Sequence, residues 1–243
     1  MHEMPRVPPG ASPRQLLSAC GGFYRASGNA PLVGYAGRDE QGRQYVGYDF
    51  ANFAKVERWP LLVCNHVARP LRERVTSELG EDLTVCPAPE GGKMLGALLA
   101  LQLGGAYAHP EKVVIEAKTS ASRERSMLGF TGRHDPPHGA RVLIVEDVCN
   151  NFSTTAQYIE ELELHGAQLA GIACFLNRSE TRRGAYIHKG VAYPVIALWD
   201  EPLPEYAQDD PEVSDAIAAG NVFWKPKDEW GKLKERAPEH CFR

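Results

Sequence analysis

The sequence has no C-x-x-C pair. Its six cysteines (Cys20, Cys64, Cys86, Cys149, Cys174 and Cys241) stand singly, and none lies near a histidine at zinc-finger spacing. A reduced, intracellular protein is the simplest expectation. No apolar run approaches the roughly 20 residues that cross a bilayer. The first ten residues lack the apolar core of a secretory leader. A cytoplasmic protein with no membrane partner is therefore expected. Basic excess is missing as well: 27 Lys plus Arg face 31 Asp plus Glu, a formal net charge of −4. That balance disfavours a protein whose main work is coating nucleic acid. No internal repeat or low-complexity tract occurs. His134 and His138 stand four apart, but Pro136 and Pro137 between them spoil a helical metal pair, and no protein metal-ligand set is expected.

What is present is ordinary globular composition, 43% hydrophobic and 24% charged over 243 residues, long enough to bury a core without staples. Residues 1–10, rich in proline, read as a loose arm. Ser12 followed by Pro13 predicts a helix to about Cys20. Gly21 to Val56 reads as strands and turns, and Pro60 to Leu79 as helix interrupted at Pro70. Strand and helix then alternate: Leu83–Cys86, a turn at Pro87–Gly92, a helix over Lys93–Leu103 stopped by Gly104, strands at Lys112–Ala117 and Arg141–Val148, a helix over Ser153–His165, and strands at Leu169–Leu176 and Tyr193–Leu198. This order predicts an α/β fold, a central parallel sheet with right-handed crossovers. A main domain is expected over 11–200. Residues 201–243, with a helix near Pro211–Ala219 and the aromatics Phe223, Trp224 and Trp230, are expected as an extension packing on the core or on a partner subunit.

In parallel sheets ligands bind at the carboxyl ends of strands. One such end is the most informative stretch of the chain. Val142–Val145 is apolar on both faces, Glu146 and Asp147 follow, then Cys149, Asn150, Asn151 and Phe152, and then Ser153, Thr154 and Thr155 at a helix start. Carboxylates there suit ribose hydroxyls. Hydroxyls and free N–H groups at the helix start suit a phosphate. Cys149 has no histidine near it in sequence and reads as packing rather than as a nucleophile.

This segment resembles the phosphoribosyl-pyrophosphate motif of type I phosphoribosyltransferases, in which an apolar strand leads to two acids and a Thr-Thr-Gly-Gly-Ser/Thr loop. Within that family it is most similar to orotate phosphoribosyltransferases, whose acids are usually Glu-Asp. The resemblance runs from about Leu16 to Arg178 in the family's order. Tyr35-Ala36-Gly37-Arg38 with Tyr45 resembles the family's Lys-Ser-Gly-Arg…Tyr segment. Pro87–Lys93, including Gly91, Gly92 and Lys93, takes the place of its pyrophosphate-binding turn. Ile115–Lys118 resembles the start of its catalytic loop. Asn177–Glu180 resembles its Asp-Arg-x-Glu.

The resemblance implies a type I phosphoribosyltransferase fold with an N-terminal hood at roughly 11–58. It also implies transfer of a phosphoribosyl group from phosphoribosyl pyrophosphate to a base, orotate first, with Mg²⁺ as cofactor, and a homodimer, because the family's loop lysine reaches the neighbouring subunit's site. Glu146 and Asp147 would hold the ribose, Asn150–Thr155 the 5-phosphate, and Lys118 with Arg123 or Arg125 the leaving pyrophosphate. Arg178 and Tyr35 would meet the base. Residues 119–132 would form a mobile lid. The chain departs from the pattern at four places. Asn150 and Asn151 replace the threonine pair. Phe152 and Ser153 replace the two glycines, and a phenylalanine there would crowd the phosphate cradle or force the loop wider. Val114 and Ile115 replace an Arg-Lys pair. Tyr35 replaces the family's lysine. A transferase for another base, and a non-catalytic nucleotide-binding regulator of the same fold, are the alternatives.

Overall fold

The computed structural model describes residues 3–116, 125–179 and 184–243. Helix α1 (Pro13–Ala19) opens as its sequence demands. Ser12 Oγ accepts the Gln15 N–H at 3.2 Å, Gln15 Oε1 accepts the Ser12 N–H at 2.8 Å, and Pro13 stands in the first turn, where no donor is needed. Strands β1 (Phe23–Arg25), β2 (Leu32–Arg38), β3 (Gln44–Gly47) and β4 (Asp49–Ala51) follow, then short helices α2 (Ala54–Glu57) and α3 (Pro60–Val63).

The expected interruption at Pro70 takes an unexpected form. The chain stays helical, but Cys64–Ala68 widens into a π turn in which the Arg69 N–H reaches back to the Cys64 carbonyl, and α4 (Arg69–Leu79) continues from there. Pro70 has no N–H to return to the preceding turn, so the ladder shifts register there and does not break.

The remaining elements are β5 (Thr84–Pro87), α5 (Lys93–Leu103), β6 (Glu111–Glu116), β7 (Arg125–Gly129), β8 (Arg141–Cys149), α6 (Ser153–Leu164), β9 (Gln168–Asn177), β10 (Ala185–His188), β11 (Val191–Asp200), α7 (Pro211–Ala218), β12 (Val222–Phe223) and α8 (Trp230–Arg236). Two compact units result. One comprises Leu61–Asn177 and Thr181–Asp200; the other comprises Met1–Pro60, Arg178–Glu180 and Glu201–Arg243.

The first of these holds the central sheet, in the order β10-β11-β9-β8-β5. Strands β5, β8, β9 and β11 are parallel, with Val85 opposite Leu143, Ile144 opposite Ile172 and Ala173 opposite Ile196; β10 is an antiparallel edge. Val142 through Val145 are all fully buried, as a strand covered on both faces requires. Helices α4, α5 and α6 pack on the sheet. On one face Val142, Ile144, Ile172 and Cys174 share a core with Tyr158, Ile159 and Leu162 of α6. The predicted α/β architecture stands, with one correction. The strand expected at Lys112–Ala117 is not a member of the parallel sheet: β6 pairs antiparallel with β7 in a separate hairpin, Lys112 opposite Leu128 and Val113 opposite Met127. Glu111, Lys112 and Glu116 make β6 too charged for a central strand buried on both faces. β7 also occupies part of the segment 119–132 expected as a lid, most of whose remainder, residues 119–124, lies outside the described residues.

In the other unit the two ends of the chain share one core. β2 pairs antiparallel with β3 and parallel with β12, Leu32 opposite Val222, while β1 pairs with β4. Tyr24, Val33, Tyr35 and Val46 pack with Val213, Phe223, Trp230, Leu233 and Cys241. The segment 201–243 is thus the second half of the hood's own core.

Candidate functional site

In the sheet-bearing unit, the C-terminal part of β8 carries Glu146 and Asp147, both half-buried. Asp147 Oδ1 accepts the Val148 N–H at 2.8 Å, which fixes the carboxylate's orientation. The turn Pro87–Gly92 lies directly beside them. Ala88 donates its N–H to the Val145 carbonyl at 2.8 Å, Gly92 donates to the Ala88 carbonyl at 3.0 Å, and the Tyr158 hydroxyl donates to the Pro87 carbonyl at 2.6 Å. The glycines have a steric reason. A Cβ on Gly91 would lie well inside van der Waals contact of the Asp147 carboxylate, and one on Gly92 would collide with the Val145 carbonyl. The turn can approach the acids this closely only without side chains. Lys93 follows and pairs with Glu90 at 3.1 Å, with both groups well exposed.

The loop after β8 leads into α6. Asn151 Oδ1 accepts the Ser153 N–H at 3.1 Å. The backbone of Phe152 is left-handed, φ 57°, the conformation in which glycine costs nothing. Its ring does not crowd the loop, which corrects the sequence expectation. It is 4% exposed and stacks on Tyr186 with centroids 5.1 Å apart and planes 10° from parallel. Burial in the core holds the side chain, while the backbone keeps the turn a glycine would make. The N-cap residue of α6, Phe152, offers no capping side chain, unlike Ser12 of α1 and Asp210 of α7, and Asn151 takes the Ser153 N–H in its place. Ser153 is exposed and Thr154 half-buried, while Thr155 is buried on the helix's inner side. The N–H groups of a helix's first turn beyond the one Asn151 takes, together with the helix dipole, favour an anion. Cys149 is buried, and its thiol pKa is pushed well up by the hydrogen bond with Cys174 and by burial. It stays a neutral packing group.

In the hood unit, Tyr35 and Arg178 do meet. The Arg178 guanidinium lies over the Tyr35 ring, 3.8 Å from its centroid. The Tyr35 hydroxyl donates to the Asp49 carbonyl at 2.6 Å, so it serves the fold, and burial pushes its pKa up. Tyr35 therefore holds Arg178 from beneath. Arg178 Nη2 donates to the Leu203 carbonyl at 3.2 Å and pairs with Glu205 at 3.3 Å. Glu205 was not found from sequence: it stands in an unpatterned Leu-Pro-Glu-Tyr stretch, and no spacing ties it to Arg178. Lys118 and Arg123 lie outside the described residues. Arg125 opens β7, opposite Glu116.

Two half-buried acids, a glycine turn set close to Asp147 and the start of a helix gather toward the end of a parallel strand. No family model matches the chain. Its sequence is 32% identical over 162 residues to an orotate phosphoribosyltransferase of Sphingopyxis alaskensis, covering 64% of this chain and 74% of that protein. It is 30% identical over 157 residues to the orotate phosphoribosyltransferase of Maricaulis maris, covering 63% and 71%. The fold is similar to the crystal structure of orotate phosphoribosyltransferase from Aeropyrum pernix, with a TM-score of 0.51 at 18% identity over 77% of this chain and 92% of that one. The chain belongs to the type I phosphoribosyltransferase family of enzymes. Both curated relatives carry the orotate transferase name.

Proposed function

We propose that the protein transfers a 5-phosphoribosyl group from phosphoribosyl pyrophosphate to a ring nitrogen of orotate, giving orotidine 5'-monophosphate and pyrophosphate. The observation that carries this reading is the contact of the Gly91–Gly92 turn with Asp147. It brings a run of backbone groups suited to pyrophosphate against carboxylates suited to the ribose, and the anomeric carbon is the atom between those two parts of the donor.

In the transfer, the bond from that carbon to pyrophosphate breaks as the bond to the base nitrogen forms, the electron pair leaves with pyrophosphate, and the proton of the ring N–H passes to the leaving pyrophosphate or to water. Positive charge builds on the sugar. Glu146 and Asp147 accept hydrogen bonds from the ribose hydroxyls and stabilise that charge, most effectively where water is excluded. The Ser153 hydroxyl, the N–H groups of Thr154 and Thr155, and Asn150 with Asn151, take the 5-phosphate; Phe152 contributes its backbone. Lys118, with Arg123 or Arg125, offsets the charge of the leaving group. Among the described residues no three His, Cys, Asp or Glu side chains are grouped to cage a metal ion. Two hard carboxylate donors at the turn fit a Mg²⁺ that arrives on pyrophosphate and keeps most of its waters, and that ion would supply further charge to the leaving group. A homodimer is part of the proposal, because the loop lysine would act in the neighbouring subunit's site.

The test is a screen of bases with phosphoribosyl pyrophosphate and Mg²⁺, following pyrophosphate release. Release with orotate and not with uracil or adenine is the expected result. Release with a purine alone would move the reading to another base, and no release with any base would leave a nucleotide-binding protein without turnover.

A further inference from the structure

Arg178 is 7% exposed and cannot move far. Its flat face rests on Tyr35, whose hydroxyl is anchored on Asp49, and Asp49 is itself held by Arg25 Nε at 2.5 Å. Its Nη2 is tied to the Leu203 carbonyl, and its own carbonyl accepts the Leu203 N–H at 3.2 Å. Gly47 makes room for this arrangement, since a Cβ there would strike the Tyr35 hydroxyl. The fourth contact is different in kind. Glu205 reaches Arg178 by a side-chain ion pair at 3.3 Å, and its side chain is 22% exposed. The backbone around Glu205 is fixed by Tyr206, which exchanges two hydrogen bonds with Val46 at 2.9 and 3.0 Å, but the side chain has three rotatable bonds. Arg178 Nε, meanwhile, is buried without a hydrogen-bond partner. A buried donor left unmade is costly, and guanidinium prefers a carboxylate that takes two parallel bonds.

We infer that Glu205 is a specificity-determining residue: an internal carboxylate that occupies Arg178 and has to be displaced before the carboxylate of an incoming pyrimidine can pair there. The inference rests on the orotate reading above. A ligand carboxylate that spans Nη2 and Nε supplies the bond Glu205 leaves unmade, and this drives the exchange. An uncarboxylated pyrimidine cannot drive it. Glu205 thereby lowers the affinity for every ligand anion and leaves the strongest bidentate one in place, which is discrimination by a built-in rival.

The experiment measures equilibrium binding of orotate and uracil, and the KM for phosphoribosyl pyrophosphate, in wild type, Glu205→Gln, Glu205→Ala and Arg178→Lys, with folding checked by circular dichroism. Both Glu205 variants should bind orotate about tenfold more tightly, equivalent to ~1.4 kcal/mol, with uracil and the phosphoribosyl pyrophosphate KM unchanged. Arg178→Lys should weaken orotate alone. If Arg178→Lys weakens orotate while both Glu205 variants leave it unchanged, the rivalry is overturned and the orotate reading stands. If none of the variants alters orotate binding, the orotate reading falls and takes the inference with it.

Discussion

At position 152 a buried aromatic ring is attached to backbone that only glycine adopts without strain. Two costs therefore compete. Removing the ring from its stack on Tyr186 forfeits a Phe-sized burial, about 3–5 kcal/mol. Relieving the left-handed backbone returns about 1–2 kcal/mol, but only if the replacement has no Cβ. Phe152→Ala and Phe152→Gly should both lower stability, and in denaturant unfolding the glycine variant should be the more stable of the two, the reverse of the order at most buried sites. Asp147 offers a purely electrostatic counterpart. Asp147→Asn keeps shape and an acceptor for the Val148 N–H but loses the charge to which the proposed mechanism gives the stabilisation of the sugar. The expected result is a fall in kcat of about 10²–10³ with a melting temperature close to wild type. Unchanged turnover would remove the acid from the mechanism. Residue-scale reading of the sequence reached Asp147 because two acids behind a fully apolar run are a local pattern. It misjudged the ring of Phe152, because the direction of a side chain depends on Tyr186, a residue remote in sequence.

The elements that build the site are held at fixed separation by glycine. A methyl on Gly91 must push either the turn or Asp147 aside. Gly91→Ala should therefore reduce kcat/KM for phosphoribosyl pyrophosphate about a hundredfold, the cost of an ångström-scale misplacement. Gly231→Ala in α8, where a Cβ meets nothing within 4 Å, should leave kinetics untouched and stabilise by about 0.5–1 kcal/mol. Equal kinetic effects of the two would mean that the close approach is not what matters. Elements were legible where periodicity and caps coincide: α5 was bounded at Lys93 and Leu103, and α1 by its Ser-Pro start. Pairing was less legible. The apolar residues of β6 announce a strand, but alternation does not name its neighbour, so its place in a hairpin with β7 was missed. β10 and β12, at four and two residues, are too short to leave a period at all.

For the molecule as a whole, residues 201–243 are the part whose role was least legible, because their partners lie at the other end of the chain. Val222–Phe223 adds a strand to β2, and Trp230 and Leu233 are buried among Tyr24, Val33 and Tyr35. Deleting them should not leave an intact catalytic domain. A chain ending at Asp200 should lose the cooperative unfolding of the hood, expose its apolar residues to a hydrophobic dye and aggregate. A truncated chain that stays monodisperse and binds no dye would show the two ends to be independent. The same interleaving has a consequence for how the protein is made. The chain passes from one unit to the other after Pro60, Asn177, Glu180 and Asp200. As it leaves the ribosome, the parallel sheet has all its strands once Asp200 has emerged and can assemble during synthesis. The hood's first strands have by then waited through most of translation for β12 and α8. Until the last residues appear, β2 has an open edge and the hood core is half built, an aggregation-prone interval set by the order of the chain.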